Sequence, residues 1–226
     1  MDYKNRFLEL LLENRVLQFG SFKTKSGRIS PYFFNSGNFS SGRSIAEVAK
    51  CYAHFIRENW GDEVTNLFGP AYKGIPLCVA VSEQLVQLLN RDIGFTFNRK
   101  EAKAHGEGGN LVGASYAEHQ NVVVVEDVLT GGTSLRETMS LVQGLPVKVL
   151  GAIVGVDRME RGQTQLSASK EIEKDFKVPV KSILRLDEIV NRLLAEKVLG
   201  KEWIDAGLKV KIDRYFLEYG VRDSSR

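Results

Sequence analysis

The sequence is poor in cysteine: its 226 residues include only Cys51 and Cys78. Both lie among apolar residues in predicted helices, and their spacing suits neither a metal site nor a disulfide framework. We therefore expect two core thiols in a protein of a reducing compartment, the cytoplasm. A chain of this length can bury a full core without disulfides or a structural metal.

Long apolar runs and a large excess of one charge are also lacking. No apolar run approaches the length of a membrane-spanning helix, and the first residues do not follow the pattern of a secretion signal. The net charge of +3 is too small to indicate a nucleic-acid or membrane surface. These features favour a soluble globular protein that binds neither nucleic acid nor membrane.

Predicted strands and helices alternate over most of the chain. Ser44 and Glu47 have capping-box spacing, so one helix should begin at Ser44. The alternation predicts an α/β fold with a central parallel sheet flanked by helices, in which ligands bind at the carboxyl ends of the strands. Strands are expected at 64–68, 93–97, 122–125, 147–156 and 180–184, and helices at 3–14, 44–58, 75–89, near 134 and at 186–194.

One strand end carries a distinctive chemical pattern. The buried strand 122–125 is followed by two carboxylates, Glu126 and Asp127, and then by small and hydroxylated residues that lead into a helix. Gly131 and Gly132 allow backbone N–H groups to converge on one point, which makes a phosphate nest. A nest beside two acids suits a phosphorylated sugar whose hydroxyls the acids hold. The alternative is a strand–turn–helix with a polar cap, which is commoner among glycine-rich turns in general.

The stretch 122–134 as a whole resembles the phosphoribosyl pyrophosphate (PRPP) motif of type I phosphoribosyltransferases, with Glu126 where aspartate is also common. Segments 30–34, 69–74 and 99–106 resemble those of the orotate phosphoribosyltransferase family. The resemblance spans about residues 15–195 and implies one domain over 1–226 with the type I phosphoribosyltransferase fold. Residues 1–40 would form a small N-terminal hood at the base site, and 200–226 would be an extension of unknown role.

The resemblance also implies which residues bind PRPP and act in catalysis. Asp127, Lys103 and His105 would be catalytic, the last two on an exposed loop at 99–109 that closes over the pyrophosphate. Mg²⁺ would be the cofactor, held mainly by PRPP and water near Glu126 and Asp127. The implied PRPP contacts are Lys25, Tyr72, Lys73, Arg99, Lys100, Lys103, His105, Glu126, Asp127, Val128, Leu129, Thr130, Gly131, Gly132, Thr133 and Ser134.

The base site follows from the same resemblance. Phe33, Phe34, Thr130 and Arg158 would contact orotate, and an arginine fork can bind a planar carboxylate through two parallel hydrogen bonds. Without the resemblance, the two phenylalanines would be read as core residues and Arg158 as a surface residue.

The family resemblance further implies a homodimer in which the loop bearing Lys103 and His105 reaches the neighbouring active site. Two other functions stay open at this point. A purine or uracil phosphoribosyltransferase would share 122–134 without needing Arg158. A non-enzymatic regulator that senses PRPP should carry a nucleic-acid-binding face or lack the catalytic loop residues, whereas this chain keeps both Lys103 and His105.

Overall fold

The computed structural model describes residues 2–24, 27–100, 110–116 and 120–221. Its helices are α1 (Tyr3–Glu13), α2 (Gly42–Trp60), α3 (Gly74–Leu89), α4 (Thr133–Gln143), α5 (Ala168–Phe176), α6 (Leu186–Ala195) and α7 (Ala206–Tyr219). Its strands are β1 (Leu17–Lys23), β2 (Ile29–Phe34), β3 (Asn66–Gly69), β4 (Gly94–Asn98), β5 (Leu111–Gly113), β6 (Gln120–Leu129), β7 (Val147–Asp157) and β8 (Val180–Arg185).

Six strands form one sheet in the order β5-β4-β3-β6-β7-β8. The pairings from β4 through β8 are parallel, and β5 pairs with β4 in the antiparallel sense. β6 lies in the interior of the sheet, where Asn66 of β3 and Val149 of β7 both pair with Val122. The predicted α/β class and parallel central sheet are confirmed.

Helices cover both faces of the sheet, and β6 shows why they must. Val122–Val125 are fully buried, and successive side chains of a strand point to opposite faces. Val123 and Val125 pack in the cluster formed with α1, α2, α3, α6 and α7, whereas Val122 and Val124 pack with α4 and α5. An unbroken apolar strand therefore requires a layer of helices on each side.

A two-stranded antiparallel hairpin, β1–β2, accompanies the sheet near the amino terminus. It packs against α7, where the ring centres of Tyr32 and Tyr215 lie 5.5 Å apart at 77°. Ile212 and Tyr215 of α7 belong to the same buried cluster as α1 and α2. The region beyond residue 200 therefore contributes a helix to the core. This helix, α5 and β5 were not predicted from the sequence.

The predicted helix at 44–58 is confirmed within α2, but the capping box predicted at Ser44 and Glu47 is wrong. Ser41 caps this helix: its Oγ accepts the N–H of Ser44, and the Oγ of Ser44 accepts the N–H of Ser41, both at 3.1 Å. Serine at the third helical position thus replaces the acidic residue of the usual capping box. Glu47 instead binds Lys50 on the helix surface, 2.7 Å away.

Cys51 and Cys78 are free and buried, as predicted. The described helices include none long and apolar enough to cross a membrane.

Gly155 allows α1 and α2 to lie close to the sheet beside the two acids. A Cβ at this position would lie 2.8 Å from the carbonyl oxygen of Asp127 and 2.9 Å from Phe7, and would also press on the hydroxyl of Tyr52. We expect Gly155→Ala to lower the free energy of unfolding by about 1–3 kcal/mol, the usual cost of overpacking. Chemical denaturation should measure this. Gly42→Ala is the control, because a Cβ there meets no atom within 4 Å; equal stability of the two variants would contradict the packing argument.

Candidate active site

The two predicted acids stand at the carboxyl end of β6. Glu126 is buried, and its Oε2 accepts a hydrogen bond from the Oγ of Ser134 at 3.3 Å. Its carbonyl oxygen accepts one from the hydroxyl of Tyr52 on α2 at 3.0 Å. Burial raises the pKa of Glu126 to about 8, and the negative charge of Asp127 adds to the rise. In the free protein, Glu126 therefore holds its proton near neutral pH.

Asp127 is the point where three segments meet. Its Oδ1 accepts the N–H of Val128 at 2.8 Å, and its Oδ2 accepts a short hydrogen bond from the hydroxyl of Ser36, which follows β2. The Nζ of Lys73 lies 3.8 Å from the same Oδ2. The structure thus brings Lys73 to the strand end that carries the acids, as the family resemblance implied for a shared site.

The turn after Asp127 forms a cleft at the amino end of α4. Gly132 caps the helix with φ +83°, a conformation that favours glycine. A Cβ at Gly132 would also lie 3.2 Å from both Ala168 and Ile172, so the turn lies close against α5. The cleft measures about 260 Å³ and is lined by Glu126, Val128, Leu129, Thr130, Gly131, Gly132, Thr133, Ser134 and Leu135.

This cleft has the chemistry of an anion site. The first backbone N–H groups of a helix have no partner within the helix, and the helix dipole places partial positive charge there. Thr130 and Thr133 are exposed and add hydroxyl donors, while Ser134, also exposed, donates its hydroxyl proton to Glu126 and the side chain of Leu129 points into the core. A phosphate group can bind here with its negative charge facing the helix and its oxygens facing donors.

A second turn, 69–74, approaches the acids from β3. It is compact because Gly69 and Gly74 lie against each other: a Cβ at Gly74 would lie 3.0 Å from the carbonyl carbon of Gly69 and 2.6 Å from Pro70. The side chain of Asn98, at the end of β4, accepts the N–H of Ala71 at 3.0 Å. Tyr72 is exposed, with the Nζ of Lys100 5.0 Å from its ring centre.

The two ends of the predicted loop 99–109 lie at this same place. The N–H of Arg99 donates to the carbonyl oxygen of Asn110 at 2.6 Å, so the chain leaves and returns at one point beside β4. Arg99, Lys100, Tyr72 and Lys73 therefore start from one side of the site. The predicted residues Lys103 and His105, like Lys25, lie outside the described residues, and their roles stay predictions.

The two phenylalanines predicted for the base site point in opposite directions, as neighbours on a strand must. Phe33 is 40% exposed and stacks on Phe22, with ring centres 5.4 Å apart. Phe34 is buried and packs edge-on against Tyr32 at 6.1 Å. Only the side chain of Phe33 is placed to meet a ligand, whereas Phe34 belongs to the core.

Arg158 follows β7 beside the phosphate turn, and its N–H donates to the carbonyl oxygen of Leu129 at 3.1 Å. Its side chain is buried: Nη2 lies 2.6 Å from Oε1 of Glu160, and the guanidinium carbon lies 4.9 Å from the ring centre of Tyr32. Its Nε–H is buried and makes no hydrogen bond to any residue that the structure describes. The arginine is thus paired and oriented rather than free on the surface.

Three residues that contact the predicted site residues were not predicted from the sequence: Ser36, Tyr52 and Glu160. Ser36 holds Asp127, Tyr52 holds the backbone of Glu126, and Glu160 pairs with Arg158. The sequence shows a polar run after β2, which includes Ser36, and an acid two residues after Arg158, which is Glu160. No local pattern indicates that Ser36 and Tyr52 reach the site, because their partners lie 91 and 74 positions away, whereas Glu160 lies only two residues after Arg158.

The described residues include no cluster of three or more His, Cys, Asp or Glu side chains that could hold a metal ion. Glu126 and Asp127 offer two adjacent carboxylates. Mg²⁺ commonly uses one or two protein carboxylates together with water and substrate phosphates. The acid pair therefore fits an ion that is shared with a phosphorylated substrate.

Comparisons with known proteins identify the family and confirm the predicted type I phosphoribosyltransferase fold. A family model described as a phosphoribosyl transferase domain matches residues 36–184. The orotate phosphoribosyltransferase of Clostridium acetobutylicum is 44% identical over 98% of this chain and 99% of its own length. That of Nitrosococcus oceani is 45% identical over 97% and 96%. The crystal structure of the Francisella tularensis orotate phosphoribosyltransferase is 36% identical, with a TM-score of 0.78, and covers 96% of this chain and 100% of its own.

The raised pKa of Glu126 predicts a specific pH dependence of stability. Between its ordinary value of 4.5 and about 8 the folded protein keeps a proton that the unfolded chain has lost. The wild type should therefore lose stability as pH rises through this window, and Glu126→Gln, which cannot ionise, should not. In the presence of EDTA and without ligand, we expect the melting temperature of Glu126→Gln to lie at least about 3 °C above that of the wild type at pH 8. At pH 5 the two melting temperatures should be nearly equal.

Glu137→Gln is the matched control, since Glu137 is an exposed glutamate on α4. Its melting temperature should follow that of the wild type at both pH values. A Glu126→Gln variant that melts below the wild type at pH 8 would contradict the protonated state inferred for Glu126.

Proposed function

The chain belongs to the orotate phosphoribosyltransferase family, and on that premise we propose that it transfers ribose 5-phosphate from PRPP to orotate, giving orotidine 5′-phosphate and pyrophosphate in de novo UMP biosynthesis. The observation that carries this is the convergence at one strand end of the acid pair, the phosphate cleft and Lys73, 3.8 Å from Asp127. The acid pair would bind the ribose hydroxyls, the cleft the 5′-phosphate and Lys73 the pyrophosphate.

PRPP would lie across the end of β6. The cleft at the amino end of α4 binds the 5′-phosphate, and Glu126 and Asp127 bind the ribose hydroxyls. A neutral Glu126 can both donate and accept a hydrogen bond, whereas an ionised carboxylate only accepts. The pair therefore presents both a charge and a donor to the sugar.

In the reaction the bond from C1 of the ribose to the pyrophosphate oxygen breaks, and a bond from C1 to a ring nitrogen of orotate forms. Pyrophosphate leaves with the electron pair of the broken bond and takes up the proton that the ring nitrogen loses. Positive charge develops on the sugar meanwhile, and Asp127 stabilises it. Lys73, Arg99, Lys100, Lys103 and His105 stabilise the leaving group, and closure of the loop 99–109 excludes water.

Mg²⁺ is the proposed cofactor. When bound, it neutralises part of the pyrophosphate charge. Glu126 and Asp127 would lie near it, with most ligands coming from PRPP and water. The carboxylate of Asp127 supports this arrangement, because one protein carboxylate suffices for an ion that shares its coordination with water and substrate phosphates.

Orotate would lie between Phe33, Thr130 and Arg158. Thr130 is exposed and directly follows Leu129, whose carbonyl oxygen accepts the N–H of Arg158. The proposed base site therefore adjoins the turn after β6 that also carries the proposed ribose site. The exposed ring of Phe33 can stack on a planar base. The alternatives raised by the sequence, a purine or uracil enzyme and a PRPP sensor, lack comparable support, because relatives named for orotate match this chain over nearly its whole length.

A homodimer in the cytoplasm is the proposed setting. Val79 and Val86 are exposed seven residues apart on α3, and a second subunit packed there would cover them. The free, buried cysteines suit a reducing compartment. The loop bearing Lys103 and His105 would complete the partner's site.

Base choice tests the proposed function. Purified protein with PRPP and Mg²⁺ should consume orotate, ignore purines and use uracil poorly at best, in assays of each base separately. Arg158→Lys keeps the charge beside Glu160 but loses the fork, so the KM for orotate should rise about tenfold or more. The KM for PRPP should change much less. Arg57→Ala, on the exposed side of α2, is the control; faster reaction with adenine or hypoxanthine would overturn the assignment to orotate.

Complementation tests the shared loop. Lys103→Ala should be nearly inactive with an intact phosphate cleft, and Asp127→Asn should lose about 10²–10³ in rate with an intact loop. Mixing them permits hybrid dimers in which one site has a good cleft and a good loop. Activity should return towards about half of wild type per hybrid dimer, since one of the paired sites is whole. Hybrid dimers without recovery would assign the loop to its own subunit, and a monomer in sedimentation would exclude the dimer.

A further inference from the structure

Helix α7 reaches the proposed base site through one buried side chain. The hydroxyl of Tyr215 donates to Oε1 of Glu160 at 3.1 Å, and its ring packs edge-on against Tyr32 of the hairpin. Beyond the helix, Gly220 bridges to Glu160, and the N–H of Val221 donates to the carbonyl oxygen of Met159 at 2.8 Å. The carboxyl-terminal segment is therefore bound to the stretch that directly follows Arg158.

Glu160 is a buried carboxylate with partners on every side. Arg158 lies 2.6 Å from Oε1, and Arg28 of the hairpin lies 3.3 Å from Oε2. A carboxylate with 2% exposure is stable only when it is paired and hydrogen-bonded in this way. Removing one partner would leave the others free to rearrange, so the position of Glu160 depends on Tyr215 as well as on the two arginines.

Arg158 is oriented by the same group. Its Nη2 contacts Glu160 and lies 3.5 Å from both the hydroxyl of Tyr215 and that of Ser30, while its guanidinium lies over the ring of Tyr32. Two guanidinium groups share one carboxylate, which leaves one positive charge in excess. That excess suits an anionic base such as orotate and does not favour a neutral one.

We infer that Tyr215 and Glu160 are positioning residues for orotate binding, and that α7 is part of the base site through them. This rests on the proposed function, because it assigns Arg158 to the base. An arginine has many rotamers, and binding a planar carboxylate requires one of them. Tyr215 and Glu160 select that rotamer before the substrate arrives, so their contribution appears in orotate affinity and not in the chemical step.

The test compares Tyr215→Phe with Tyr219→Phe. Both variants keep their rings, and Tyr219 lies next to Tyr215, with ring centres 4.8 Å apart, but contacts Arg28 instead of Arg158. Tyr215→Phe should raise the KM for orotate about three- to tenfold and change kcat and the KM for PRPP less than about twofold. Tyr219→Phe should change none of the three. An equal rise in both KM values, or no rise for orotate in a folded Tyr215→Phe enzyme, would overturn the inference.

A double-mutant cycle separates positioning from general packing. In an Arg158→Ala background, Tyr215→Phe should have no further effect on the KM for orotate, because the group that it positions is gone. If Arg158→Ala does not fold, Arg158→Lys takes its place, and the effect of Tyr215→Phe should shrink. An undiminished effect in either background would refute the inference. Wild-type enzyme that fails to consume orotate would refute the proposed function instead.

Discussion

The burial of β6 on both faces is the constraint on which the rest of this protein depends. Its apolar run can be covered only by helices on both sides of the sheet, and that requirement produces the layered architecture. The strand also ends in two carboxylates that follow directly from its interior. Glu126 therefore stays in a poorly solvated environment, and its proton is retained near neutral pH. The architecture and the chemistry of the site arise from one strand.

Charge is divided across the site in a way that fits a substrate with several phosphates. The acids lie on the strand end, and the cations approach from the turn at 69–74 and from the start of the loop 99–109. The helix dipole of α4 adds a third, fixed source of positive potential. PRPP has a neutral sugar between two anionic groups, so in the proposed function the acids would face the sugar and the positive groups would face its two ends. The separation of signs matches the order of groups along the substrate.

The base site is built differently, from contacts between distant parts of the chain. Arg158 follows the sheet, Tyr32 and Phe33 come from the hairpin, and Tyr215 comes from the last helix. The side chains of the proposed base site thus belong to separate elements, whereas the phosphate cleft is one continuous turn.

The sequence by itself determined the alternation of strands and helices, the buried strand 122–125, the acid pair and the phosphate turn. These are local features: apolar periodicity, glycine and adjacent acids act within a few residues of each other. Only the tertiary structure decided which polar groups meet. Ser36 reaches Asp127 across 91 positions, Tyr215 reaches Glu160 across 55 and Arg158 reaches Ser30 across 128. Such pairs leave no spacing pattern in the chain, because they form only when the packed core brings separate elements to the same edge of the sheet.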